Sequence, residues 1–106
     1  MAKYLLNVSY TAEGARGLLK DGGSKRRAAA KALAESAGGT LEALYFAFGE
    51  IDAYAIVDMP DAQSAAAASL ALAASGVVTN RTTPLMTVEE MDQAVKKSAS
   101  YTPPGR

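Results

Sequence analysis

The sequence contains no cysteine and no histidine. The first absence removes disulfides, thiolate metal sites and cysteine nucleophiles together. The second removes an imidazole base, His-ligated haem or zinc, and a Ser-His-Asp triad. Chemistry in this chain falls to Asp, Glu, Tyr, Lys, Arg, Ser or Thr, or to a group brought from outside. The expectation is no resident cofactor and no metal. An excess of charge is missing too: Lys+Arg number 11 against 11 Asp+Glu. Nucleic-acid binders carry a basic excess, because phosphate neutralisation dominates their affinity, so no nucleic-acid partner is expected. Nor does any apolar run approach the ~20 residues of a membrane span. Met1-Ala2-Lys3 leads straight into a strand pattern rather than a signal peptide. The expectation is a cytoplasmic protein with no membrane partner.

What is present is organised around Thr40 to Asp58, TLEALYFAFGEIDAYAIVD. Two runs rich in aliphatic and aromatic residues, Leu41–Phe48 and Ala53–Asp58, flank Gly49-Glu50-Ile51-Asp52. Alternation puts Leu41, Ala43, Tyr45 and Ala47 on one face of the first run and Leu44, Phe46 and Phe48 on the other. Neither face is polar, so both sides of this hairpin need a cover. With 106 residues there is one domain and one core to supply it.

The rest of the chain arranges itself around that need. Lys3 to Tyr10 reads as a strand with Tyr4, Leu6, Val8 and Tyr10 on one face and Leu5, Asn7 and Ser9 on the other. Thr11 caps a helix running to Lys20. Gly22-Gly23-Ser24 breaks it, and Ser24 caps a second helix over Lys25 to Ala37, with Ala28, Ala32 and Leu33 on its buried stripe. Gly38-Gly39 ends that helix. Asp61 caps an alanine-rich helix, Ala62 to Ser75, whose large apolar residues are Leu70 and Leu72. Val77 to Met86 reads as an edge strand that tolerates Pro84 near its end. Thr87 and Glu90 make a capping box for a last helix to Lys97. The expectation is one domain over residues 1–97 and an extended tail over 98–106, stiffened by Pro103-Pro104.

This order is βαββαβ with a C-terminal helix, an α+β ferredoxin-like pattern with a four-stranded antiparallel sheet. Right-handed crossovers put both main helices on one face of the sheet. The other face is then bare, and a second copy covers it most economically, sheet to sheet, as a dimeric α+β barrel. A homodimer is therefore the expected partner, with higher oligomers left open.

Four stretches are familiar. They are Lys3-Tyr4-Leu5-Leu6 to Ser9-Tyr10-Thr11, Gly22-Gly23-Ser24 with Arg26-Arg27, Tyr45-Phe46-Ala47-Phe48-Gly49, and Tyr101-Thr102-Pro103-Pro104-Gly105. Together they resemble the GYD domain family. The resemblance implies a dimeric α+β barrel and brings no activity with it. Proteins of that group include cofactor-independent monooxygenases, isomerases, haem enzymes and ligand sensors, and fold likeness does not transfer a reaction. Of the Gly, Tyr and Asp that name the family, Gly49 and Asp52 are here, while Ile51 stands where the Tyr is expected.

The candidate ligand-binding residues are Asn7, Ser9, Tyr45, Tyr54 and Arg81. Asn7 and Ser9 are polar groups on a central strand, Tyr45 and Tyr54 offer phenols, and Arg81 is the lone charge in its strand and can clamp a carboxylate. Each also has a local reading: satisfied polar groups, core tyrosines with one wet end, and an ion pair across the dimer. Asp52 and Tyr54 are the catalytic candidates, with Glu50 beside Asp52, although acidic residues also favour turns. Lys25, Arg26 and Arg27 crowd cations at the helix start that Ser24 caps, which suits an anion bound by Ser24, Arg26 and Arg27 or a solvated basic turn. Three functions stay open: a protein that binds a small, partly apolar molecule, a cofactor-independent monooxygenase- or isomerase-like enzyme, and a purely structural assembly unit.

Overall fold

The computed structural model describes residues 1–106. Its elements run β1 (Ala2–Tyr10), α1 (Ala12–Ser36), β2 (Thr40–Phe46), β3 (Ala53–Met59), α2 (Ala62–Ala74), β4 (Val78–Leu85) and α3 (Val88–Val95). The four strands form one antiparallel sheet in the order β2-β3-β1-β4. This is the α+β, ferredoxin-like arrangement that the order of elements implies.

Both long helices lie on one face of the sheet. Tyr4, Leu6 and Val8 of β1, Ala53, Ala55, Val57 and Met59 of β3, and Val78 of β4 form a core with Ala34 of α1 and Ala65 and Ala68 of α2. Alanine on both sides lets helix and sheet approach closely but removes little apolar area from water per residue. Only 13 of 106 residues are buried, so a single chain has a thin core. Between the helices and the sheet lies a cavity of about 140 Å³. At the ~24 cal/mol per Å³ found for voids in cores, leaving it empty costs on the order of 3 kcal/mol.

Several local expectations are refined. The break expected at Gly22-Gly23-Ser24 is present: α1 consists of two helical segments that meet at a kink at Gly22. Gly22 has φ 80° and ψ 172°, a left-handed excursion that a side chain would resist. The second segment follows the kink directly, and the side chain that caps α1 is that of Thr11, not Ser24. The inward stripe of α1 is Arg26, Ala30, Leu33 and Ala34, whereas Ala28 and Ala32 are exposed. In a run this rich in alanine, period alone cannot choose the face. On α2, Leu72 is half-buried and Leu70 exposed.

The hairpin also departs from strict alternation. A bulge between Leu41 and Ala43 shifts the β2–β3 register. It puts Leu41 and Leu44 together on the helix side and leaves Ala43 and Tyr45 on the opposite face. β2 stops at Phe46, and Phe48 is wholly exposed in the following loop. The α1 exit is a Schellman motif: Gly38 N–H donates to Glu35 O at 3.0 Å and Gly39 N–H to Ala34 O at 2.9 Å. Gly38 takes the left-handed φ of 87°, and Gly39 lies where a Cβ would run into Asp58 O and Met59 Sδ.

At the far end of the chain, Thr87 and Glu90 form the expected capping box, with Glu90 N–H donating to Thr87 Oγ1 at 3.1 Å and Thr87 N–H to Glu90 Oε1 at 2.9 Å. The α3 that it starts buries no residue and leaves Val88, Met91 and Val95 exposed. No helix is long and apolar enough to cross a membrane.

Candidate functional site

The face without helices carries Leu5, Asn7 and Ser9 of β1, Tyr54 and Ile56 of β3, Ala43 and Tyr45 of β2, and Thr79, Arg81 and Thr83 of β4. Strand pairing fixes their neighbours. Asn7 stands between Tyr54 on one side and Arg81 on the other, while Leu5 faces Ile56. Three polar side chains from three adjacent strands therefore make a row across the sheet.

That row forms one wall of an open groove of about 620 Å³, lined by Asn7, Ser9, Glu50, Ile51, Tyr54, Thr79, Asn80 and Arg81. Its chemistry is mixed. Arg81 makes no ion pair within the chain, so its guanidinium donors are unspent. Asn7 Oδ1 is buried with no hydrogen-bond partner, which is unusual because buried polar atoms are nearly always paired. Ser9, Thr79 and Tyr54 add hydroxyls, and Ile51 supplies an apolar patch. A donor would meet Asn7 Oδ1, an acidic or carbonyl group the Arg81 guanidinium, and a small apolar part Ile51.

Four of the five ligand-binding candidates, Asn7, Ser9, Tyr54 and Arg81, are thus brought together. Tyr45 pairs with Tyr54 across β2 and β3 but lies outside the groove lining, 71% exposed. Thr79 escaped the sequence reading, although it sits two residues from Arg81 and strand alternation would have found it.

Asp52 has different work. Its Oδ2 accepts from Tyr10 N–H at 2.8 Å. Its own N–H donates to Val8 O at 3.0 Å, and its carbonyl accepts from Ala47 N–H at 2.8 Å. β3 pairs with β1 only as far as Val8↔Ala53, so beyond that point the Tyr10 amide needs a substitute acceptor. Asp52 provides it and ties the loop Ala47–Asp52 to the end of β1. Glu50, its neighbour, stays exposed on the groove wall.

The basic stretch of α1 divides. Arg26 is half-buried, reaches Asp21 Oδ2 at 3.5 Å and lines the helix-side cavity, while Ser24 and Arg27 are exposed. Beside the cavity, burial pushes the Tyr10 phenol above its ordinary value, against the pull of Arg26 and with help from Asp52. At the other end of the open face, Lys3 bridges Glu42 and Asp58, and those hydrogen bonds raise its ammonium above the ordinary lysine value. No three carboxylates cluster as metal ligands would.

The sequence matches the GYD domain over residues 4–95. The chain belongs to the GYD domain family. The match takes in the sheet, both long helices and α3, and stops short of the Tyr101–Gly105 stretch. Within it, Gly49 lies in the loop that Asp52 anchors, and Ile51 puts a branched aliphatic chain into the groove at the position where the family's Tyr is expected. Neither a curated protein nor a solved structure matches the chain.

Proposed function

We propose that this GYD domain protein works as a homodimer that closes its two open sheet faces on each other and binds a small, partly apolar molecule in the chamber between them. The observation that carries this reading is the convergence of Asn7, Ser9, Tyr54 and Arg81 on one groove, with Asn7 Oδ1 buried and unpartnered. A buried orphan acceptor costs stability that packing alone would not retain, whereas a ligand donor repays it. The second copy supplies what one chain lacks: a cover for Leu5, Ile56, Ala43 and Tyr45, and more buried area than the thin core of one chain provides. In this arrangement Arg81 grips an acidic or carbonyl group, and Tyr54 and Ile51 flank the apolar part.

Binding is favoured over cofactor-independent catalysis. The carboxylate best placed by sequence to act as a base, Asp52, is already engaged by the Tyr10 amide. A purely structural role leaves the free Arg81 and the orphaned Asn7 without a purpose.

The test is native mass spectrometry of gently purified protein. Two chains carrying an added small mass, with that mass lost in Arg81→Gln, support the reading. A lone 10.9 kDa chain with no adduct, or an adduct indifferent to Arg81→Gln, contradicts it.

A further inference from the structure

We propose that the cavity between the helices and the sheet is a second ligand site, separate from the groove, which takes a carboxylate with one aromatic ring or a short branched chain. The apolar part fills the cavity and the carboxylate sits on Arg26.

Shape and lining give the tail. The cavity holds about 140 Å³, and 18 of its 19 lining residues are apolar. An apolar void of roughly 150 Å³ stays dry and accepts a benzene-sized guest, so the guest here is a single ring or its aliphatic equivalent. Walls such as Ala30, Leu33, Leu44 and Leu72 offer no hydrogen bond and select against polar guests.

The one exception in the lining gives the head. Arg26 is the only charged residue of the cavity wall. Its Nε is buried with no hydrogen-bond partner, and its one anionic neighbour, Asp21, is at the outer limit of a hydrogen bond, 3.5 Å. A guanidinium so weakly engaged keeps donors for a carboxylate, which it binds in bidentate fashion. Tyr10 belongs to the same lining, and burial raises its phenol above the ordinary value, so it stays protonated. Elsewhere Gly23 lets the Phe46 ring approach α1 closely, 3.3 Å from where a Cβ would stand. The kink at Gly22 therefore sits directly over the hairpin, next to the turn of α1 that carries Arg26.

The groove cannot be the same site. It lies on the opposite face of the sheet and shares no lining residue with the cavity.

The test is a methyl-resolved NMR titration of the full chain with two probes, benzoate and toluene. Both are expected to shift the Leu33, Leu72 and Val78 methyls saturably. Arg26→Gln weakens benzoate by roughly tenfold or more, the usual worth of hydrogen bonds to a charged group, while toluene changes little. Ala34→Leu fills the cavity and abolishes both. If that variant does not fold, Leu72→Phe blocks the cavity from the α2 side and is read the same way. Absence of saturable shifts, shifts centred on Asn7 and Tyr54 instead, or benzoate binding that survives Arg26→Gln overturns the proposal.

Discussion

Asn7→Leu is the substitution on which the groove reading is most exposed. Asn7 lies mid-strand between Tyr54 and Arg81, and its Oδ1 is buried without a partner. An unsatisfied buried polar atom carries a desolvation penalty of about 1–3 kcal/mol. Leucine is nearly isosteric, removes that atom, and extends the apolar surface begun by Leu5 two residues away. The free protein should therefore gain about 1–2 kcal/mol, the lower part of that range, because the polar hydroxyl of Ser9 remains alongside. For a domain near 100 residues each kcal/mol moves Tm by roughly 4–8 °C, so the gain is readily measured. The assay is urea unfolding of both proteins at several matched concentrations, since dimerisation adds a concentration-dependent term. The same samples should show the groove ligand lost. A gain in stability with a loss of binding is the mark of a residue kept for function. Destabilisation by about 1 kcal/mol or more would mean that the amide is satisfied in the free protein, and the reasoning fails.

Other outcomes follow from single contacts. Asp52→Ala strands the Tyr10 amide and should cost about 1–3 kcal/mol by chemical denaturation, while Asp52→Asn, which keeps an acceptor, should recover most of it; an unchanged Asp52→Ala would remove the latch role. Gly39→Ala drives a methyl into Asp58 O and Met59 Sδ and should lower stability by roughly 1–3 kcal/mol, as overpacking does; a neutral result would mean that the α1–β2 corner can shift. Asp61 and Glu90 both have pKa values lowered, chiefly by hydrogen bonds from Ser64 and Thr87 respectively. A depressed folded pKa stabilises fully above the unfolded value and is lost as pH falls through the folded one. Helicity of α2 and α3 by circular dichroism should therefore be retained down to the ordinary carboxylate range and decline below it, and Asp61→Asn with Glu90→Gln should flatten that decline.

Much of this molecule can be read from one-dimensional pattern. Tyr4, Leu6 and Val8 alternate against Leu5, Asn7 and Ser9, which establishes both the strand and the face on which the polar row would stand. Thr87 with Glu90 and Asp61 before Ala62 announce helix starts through side-chain oxygens that can reach free amides. Strand alternation and topology likewise suffice to put Asn7, Ser9, Tyr54 and Arg81 on one surface. What escapes pattern has definite physical causes. Alanine is too uniform to mark the buried stripe of α1, so Arg26 reads as a surface charge when it in fact lines a cavity. The bulge at Glu42 inserts a residue that no alternation rule anticipates, and it moves Leu41 to the helix side. Asp52 looks like chemistry in sequence because its partner, the Tyr10 amide, is a backbone group 42 residues away.

The claim that the open sheet face closes on a second copy is tested most directly by sedimentation equilibrium at micromolar concentration, alongside Ile56→Lys at the centre of that face. The account predicts twice the 10.9 kDa chain mass for the native sequence and a shift to the single-chain mass for the variant. A native chain that sediments alone, or a dimer untouched by Ile56→Lys, would contradict it.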